Sequence, residues 1–369
     1  MTDFRSLVFY VLFFLVSTLF VYLSSKRRLP RQIKSLFMAI GVLIPTAISG
    51  LRGRTVGTDT PEYIRMYSDI INGRFDTPIE PLTTVIAHVS SLMTTSSWLF
   101  FSLFALISTV FFYLAATKID KRYAWFMWFL YLFIYFTFSF NVVRQMAAVS
   151  ILFYAVTCLV VSRDKRLFMF WALVAACTHA VSAIAAILFY IFYKMNDRQT
   201  LSRSKVAILT IGLAISLGIV AGNIERVVSF IPFPIFQKVL DNANRGEASL
   251  DMANAIFYLA ITLVMIALYG KIRQVFKGAA VFAMALSVGS ILIFLDNYLA
   301  HAGRLAYFFV VPALPTVLYA IVIQAKNTRR IITFTIMIMA VALFVATRYL
   351  GGGSDIIPYY IFAQNGGAI

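Results

Sequence analysis

The sequence predicts an all-α, polytopic membrane protein, and three observations predict it. Of its 369 residues, 61% are hydrophobic and 13% charged, with a mean hydropathy of +0.86. Apolar stretches long enough to cross a hydrocarbon core, about 17–25 residues each, recur from end to end. The charges interrupting them are mostly short Lys/Arg-rich loops. Among the exceptions is Arg144, which stands alone between the apolar runs 125–140 and 146–161. A guanidinium near membrane depth costs several kcal/mol unless it is paired or meets water or an anion.

Taken in order, the apolar segments suggest about twelve transmembrane helices: 4–23, 35–51, 98–117, 123–140, 142–161, 167–179, 180–193, 206–222, 254–270, 279–300, 303–324 and 331–350. The first lacks a small-residue cleavage site and is read as a retained span. An even count puts both termini on one side. The segment EPLTTVIAHVSSLM (80–93) is too short and too polar to span, so it is expected to lie on the surface or re-enter. Only 28 positions separate Arg166 from Lys194, which is about 42 Å of helix at 1.5 Å per residue. Two passes sharing that length would each stop short of a core about 30 Å thick. Their apex, Cys177-Thr178-His179-Ala180, is then expected to stop inside the membrane, as helices lining a cavity can. One tilted span is the competing arrangement, and it would place one basic flank outside.

The net charge of +17 separates by side. Six loops, 24–34, 118–122, 162–166, 194–205, 271–277 and 326–330, hold 21 of the 32 basic residues and three of the 15 acids. Short basic loops face the cytoplasm, so this excess reads as topology and not as nucleic-acid binding. The outer set is near neutral. Ten of its eleven basic residues are Arg (5, 52, 54, 65, 74, 144, 226, 245, 304 and 348), with Lys238 the exception. Arg offers a planar fork that grips phosphate bidentately, which Lys cannot do. An anionic substrate on the outer side is the expectation.

The whole chain, 1–369, reads as a single membrane domain without repeats. Its larger outer connections are 52–97, carrying the interfacial or re-entrant helix, and 223–253. The two cysteines, Cys158 and Cys177, fall in apolar segments and read as free thiols. No P-loop, dinucleotide fingerprint, GxSxG elbow, DxD, HExxH or paired Cys is found, so neither ATP coupling nor a metal or other cofactor is expected.

Candidate site residues follow from the polar islands. Arg52 and Arg54 flank a glycine directly after the second segment, where a backbone can approach a ligand and two forks can clamp phosphate. Asp59 could orient an Arg or accept a proton, although Asp59-Thr60-Pro61 also suits a plain helix start. Asn141 and Gln145 surround Arg144 with donors and acceptors, although Arg144 could simply snorkel or cap a turn. His179 sits at the expected apex, where a satisfied core histidine is the bland alternative. His301 and Arg304 lie one helical turn apart, with Asp296 close enough for a structural ion pair to Arg304.

These residues carry a resemblance. The Arg-rich end of the second segment running into Gly57-x-Asp59-x-x-x-Tyr63 resembles the EpsG-like branch of the Wzy-type polysaccharide polymerases. So do Asn141-x-x-Arg144-Gln145-x-x-Ala148, the step Thr178-His179-Ala180-Val181-Ser182, Arg304-Leu305-Ala306-Tyr307-Phe308-Phe309 and the Tyr359-Tyr360 tail. The likeness covers most of the chain in order. One departure is that the family more often has Ser directly after the His.

The resemblance implies a GT-C-like integral membrane glycosyltransferase working on the outer face of the bacterial inner membrane. It would move a growing glycan from undecaprenyl diphosphate to the non-reducing end of a new lipid-linked repeat unit. Donor, acceptor and membrane lipids would be its partners, with room for a chain-length regulator and a flippase, and no nucleic acid. Arg52, Arg54, Arg144 and Arg304 are the implied diphosphate ligands, with Tyr63, Asn141, Gln145 and His301 lining the substrate site. Asp59 and His179 are both candidates for the base that deprotonates the acceptor hydroxyl. Two rival readings need the same arginines: a lipid-linked oligosaccharide flippase or transporter, and an O-antigen ligase-type transferase. Transporters usually show internal symmetry between halves, and the sequence has none.

Overall fold

The computed structural model describes residues 3–74, 79–197, 201–222, 252–296 and 302–361. Among the described residues the chain is helical, without strands; a lone antiparallel bridge joins Arg52 to Ile361. Each expected apolar segment contains helix. In order these are α1 (Asp3–Ser24), α2 (Arg31–Gly50), α5 (Trp98–Asp120), α6 (Ala124–Leu130), α7 (Val143–Val160), α8 (Lys165–Thr178), α9 (Ser182–Asp197), α10 (Arg203–Gly222), α11 (Met252–Val275), α12 (Ala279–Leu295), α13 (Ala302–Val310), α14 (Leu314–Val322) and α15 (Lys326–Phe344). Two short helices fill the connection between α2 and α5, α3 (Thr60–Ile71) and α4 (Pro81–Ser91).

Among the described residues six helices are long and apolar enough to cross a membrane, or seven if α13 and α14, bent by 44°, form one span. The chain is therefore multi-pass. The twelve segments expected from hydropathy include several that fall short of that length, such as α8 with 14 residues and α12 with 17. The α8–α9 boundary lies where the two-pass arithmetic put it: α8 stops at Thr178 and α9 starts at Ser182. The connection 223–251, with Arg226, Lys238 and Arg245, lies outside the described residues.

The chain divides into two compact units, Met1–Ala183 with Gln324–Ile369, and Ile184–Ile323. In the first, α2 packs on α1 and α5, and α7 packs on α5 and α8. Small and hydroxyl residues let these helices approach, as expected where lipid offers no hydrophobic drive between them. Ser17 Oγ donates to the Gly41 carbonyl at 2.6 Å and receives the Trp128 indole N–H at 2.9 Å. A Cβ at Gly50 would overlap Ser102 on α5. After α6 the helix widens to a π turn over Tyr131–Tyr135 and tightens to 3₁₀ over Phe136–Phe140. The Tyr131 hydroxyl and Ser108 Oγ lie 2.7 Å apart, and Ser150 Oγ is 3.2 Å from Ser108, which ties that irregular stretch to α5 and α7.

The second unit packs α12 against α10, α11 and α13, with α14 on α11. Ser290 Oγ and Thr262 Oγ1 meet at 2.7 Å between α12 and α11. Phe276 stacks on Tyr319 at 4.2 Å between ring centroids.

Candidate active site

α2 and α8 end, and α5 and α7 begin, at the same end of the first unit, where α3 and α4 also lie. An apolar cluster fixes this pair: Tyr67 and Ile70 of α3, and Ile86 and Ala87 of α4, are buried with Phe100, Phe101 and Phe104 of α5 and Val143 and Ala147 of α7. α3 begins where the Asp59-Thr60-Pro61 pattern predicts, and Pro61 at its first turn loses no helical hydrogen bond. α4 begins at Pro81 in the same way, with Glu80 in its N-cap position.

Glu80 is the centre of the arrangement. One carboxylate oxygen binds the Arg144 guanidinium, and the other lies 3.0 Å from His179 Nδ1. Each partner needs that carboxylate for its own reason. Arg144 stands in the first turn of α7, a turn without an acidic residue, where the helix dipole is positive and opposes a cation. His179 closes α8 in extended backbone geometry, its N–H bonded to the Ala175 carbonyl. Burial works against ionising Glu80, but the His179 hydrogen bond and the Arg144 charge outweigh it and hold the carboxyl down to about 2. An ionised carboxylate only accepts hydrogen bonds. His179 Nδ1 is therefore the donor of this hydrogen bond.

Tyr63 of α3 presents its ring to Arg144, 5.9 Å from guanidinium carbon to centroid. Arg144 Nε is buried without a hydrogen-bond partner in the protein, as is Asn141 Oδ1. Gln145 is buried.

The other expected arginines are placed very differently. Arg52 is 2% exposed. Its guanidinium donates to the Ser49 carbonyl and hydroxyl at 2.6 and 2.8 Å, to Thr60 Oγ1 at 3.2 Å and to the Phe140 carbonyl at 3.3 Å, and it lies 3.9 Å over the Phe101 ring. Those bonds clamp the end of α2 to the start of α3 and to the corner before α7. Arg54, two residues on, is exposed. Between them and α3, Gly57 adopts φ +95°, and a Cβ there would come within 2.8 Å of Asn141 Oδ1. Asp59 is half-buried and accepts from Thr58 Oγ1 at 3.3 Å.

The C-terminal tail holds this loop from beneath. The Tyr360 carbonyl accepts from Gly53 N–H at 2.6 Å, and the Asp355 carbonyl from Gly57 N–H at 2.8 Å. The Tyr359 hydroxyl donates to the Ile48 carbonyl at 2.9 Å. Arg348 is buried and donates to Ser354 Oγ at 2.6 Å, and Asn141 Nδ2 donates to the Ser354 carbonyl at 3.2 Å.

Arg304 belongs to the second unit, exposed on α13. The carboxylate of Asp296 accepts the Gly303 N–H at 2.7 Å. His301 lies outside the described residues. Glu80 was missed in the sequence because it reads as one acid in a short, polar stretch. A signal was nonetheless present: the acid directly precedes a proline, at a helix start.

The family model described as the EpsG family matches residues 35–361, most of the chain. The chain belongs to the EpsG family. That family is the EpsG-like branch of the Wzy-like polysaccharide polymerases, and every group of the Glu80 site falls within the matched region. No curated protein and no solved structure matches the chain significantly. An EpsG-family chain with these helices is a multi-pass membrane protein of the glycosyltransferase-like polymerase class.

Proposed function

We propose that this EpsG-family protein polymerises undecaprenyl-diphosphate-linked oligosaccharide repeat units on the outer face of the cytoplasmic membrane, in a GT-C-like manner, with the Glu80 site as its catalytic centre. The observation that carries the reading is the Arg144–Glu80–His179 arrangement at one end of the first unit. It supplies a cation, an ionised carboxylate and a histidine whose tautomer the carboxylate sets.

The acceptor sugar hydroxyl attacks the anomeric carbon of the donor glycan. The bond from that carbon to the diphosphate oxygen breaks, and its electron pair leaves with the lipid diphosphate. The hydroxyl proton passes to His179 Nε2, which Glu80 has oriented through Nδ1. Negative charge grows on the leaving diphosphate, and fixed arginines stabilise it most in the transition state. Arg54 is the most accessible of the first unit's candidates for that role, and Arg144 stands beside the base. In this scheme Arg52 positions the loop that carries Arg54, and Asp59 supports it. Tyr63 and Asn141 line the sugar side.

The test is reconstitution of the purified full-length protein with one defined undecaprenyl-diphosphate repeat unit. A product ladder supports polymerisation. A single transfer to another acceptor indicates a ligase, and transbilayer movement without a new glycosidic bond indicates a transporter.

A further inference from the structure

The strongest feature outside the Glu80 site is at the other end of the first unit, where α1 finishes and α6 and α15 begin. A cavity of about 540 Å³ opens there, lined by Tyr22, Tyr123, Trp125, Lys326, Arg329 and Arg330. That volume falls within the usual range for small-ligand sites, about 300–1,000 Å³. Phe334 and Met337 of α15 add an apolar wall. We infer that this cavity binds a phosphate group, and that the phosphate is the headgroup of an anionic phospholipid of the leaflet on the Lys/Arg-rich side.

Three observations carry the inference independently of the proposed polymerase activity. First, α15 starts with Lys326, Arg329 and Arg330, and its first turn has no acidic residue. A helix N-terminus is already the positive end of the dipole, with its first N–H groups unsatisfied. Ala325 offers no side-chain cap. Cations placed there repel the helix unless an anion joins them, and none of the residues lining the cavity is acidic.

Second, Arg329 is held in place. Its Nη1 donates to the Tyr123 hydroxyl at 2.9 Å and its Nη2 to the Gln324 carbonyl at 3.1 Å, while Nε is buried without a hydrogen-bond partner in the protein. A guanidinium immobilised in this way has already lost the rotamer freedom that binding would otherwise cost. Third, the walls suit an amphiphile. Tyr22 and Trp125 pack edge to face at 5.5 Å and border the cationic mouth, and Phe334 is exposed. Aromatic rings concentrate at the headgroup level, and basic pockets between helices on the cytoplasmic side hold lipid headgroups. Topological charge alone accounts for a basic loop; it does not account for a walled cavity around it.

Native mass spectrometry of the full-length protein in non-ionic detergent tests this. Phosphatidylglycerol and phosphatidylcholine with identical acyl chains are titrated separately, then phosphatidylglycerol against inorganic phosphate. One phosphatidylglycerol adduct is expected at least tenfold tighter than phosphatidylcholine. Lys326→Gln/Arg330→Gln, at two exposed positions, should weaken it about tenfold with an unchanged melting temperature. Arg27→Gln/Arg28→Gln, which removes two exposed charges elsewhere on the same side, should leave it intact. Displacement by millimolar phosphate would overturn the lipid assignment and make this a site for a soluble phosphate. Equal phosphatidylglycerol binding by wild type and Lys326→Gln/Arg330→Gln, or equal weakening by the Arg27/Arg28 variant, would overturn the site itself.

Discussion

His179 Nδ1 lies 3.0 Å from Glu80 Oε1 across 99 residues of sequence. The same carboxylate holds Arg144 through its other oxygen, so a histidine, a carboxylate and a cation form one electrostatic unit. Removing any member changes the state of the other two.

Glu80→Gln keeps the size and loses the charge. The amide no longer requires a hydrogen on His179 Nδ1, and Arg144 loses its counter-ion. Polymerisation should fall by about 10²-fold or more, the scale of general acid–base catalysis, with substrate affinity less affected. Single-turnover rates at equal protein abundance check this. A rate within a few-fold of wild type removes Glu80 from the chemistry.

The same carboxylate makes a pH signature. Its folded value of about 2 lies below the ordinary 4.5. Its contribution to stability is therefore fully present above about 4.5 and is lost as pH falls from there towards 2. The melting-temperature gap between wild type and Glu80→Gln should be constant from neutral pH down to about 5 and close below that. A gap that persists at pH 2 contradicts the ion-pair account.

Arg144→Lys retains a cation but not the fork. It should fail to make long polymer nearly as completely as Arg144→Ala, while Arg144→Ala also loses about 1–2 kcal/mol of stability, between the values for exposed and buried pairs. Polymer length and thermal unfolding, measured together, separate the two effects. Wild-type polymer from Arg144→Lys would reduce Arg144 to a point charge.

Arg52 and Arg54 should behave oppositely despite their spacing. Arg52→Ala orphans a buried hydrogen-bond network and should cost about 1–3 kcal/mol, seen as low folded yield. Arg54→Ala is a surface change, within about 0.5 kcal/mol of wild-type stability. It should instead weaken binding of the lipid-diphosphate substrate. A stable Arg52→Ala with a selective binding defect would reverse the assignment.

Topology can be checked at exposed positions on the two ends. A cysteine replacing Glu62 of α3 should label with an impermeant reagent in whole cells, and one replacing Asn327 of α15 only after permeabilisation. The opposite pattern would put the Glu80 site on the inner side.

The amino-acid sequence by itself determined the membrane class, the position of almost every helix, the break around His179 and the helix start at Asp59-Thr60-Pro61. All of these depend on hydropathy, charge and capping within a few consecutive residues. Family membership was likewise legible, because its motifs are local strings around Gly57, Arg144 and His179. Only the tertiary structure decided which polar residues meet. Arg52 and Arg54 look alike in sequence, but one is sealed beneath Phe101 and the Phe140 carbonyl while the other is exposed. Arg348, an equally conspicuous arginine, is spent on the turn at Ser354. Glu80 meets Arg144 across 64 residues and His179 across 99. No periodicity encodes such a meeting. It depends on how α3 and α4 seat on Phe100, Phe101 and Phe104, and packing between distant helices sets where a side chain ends up.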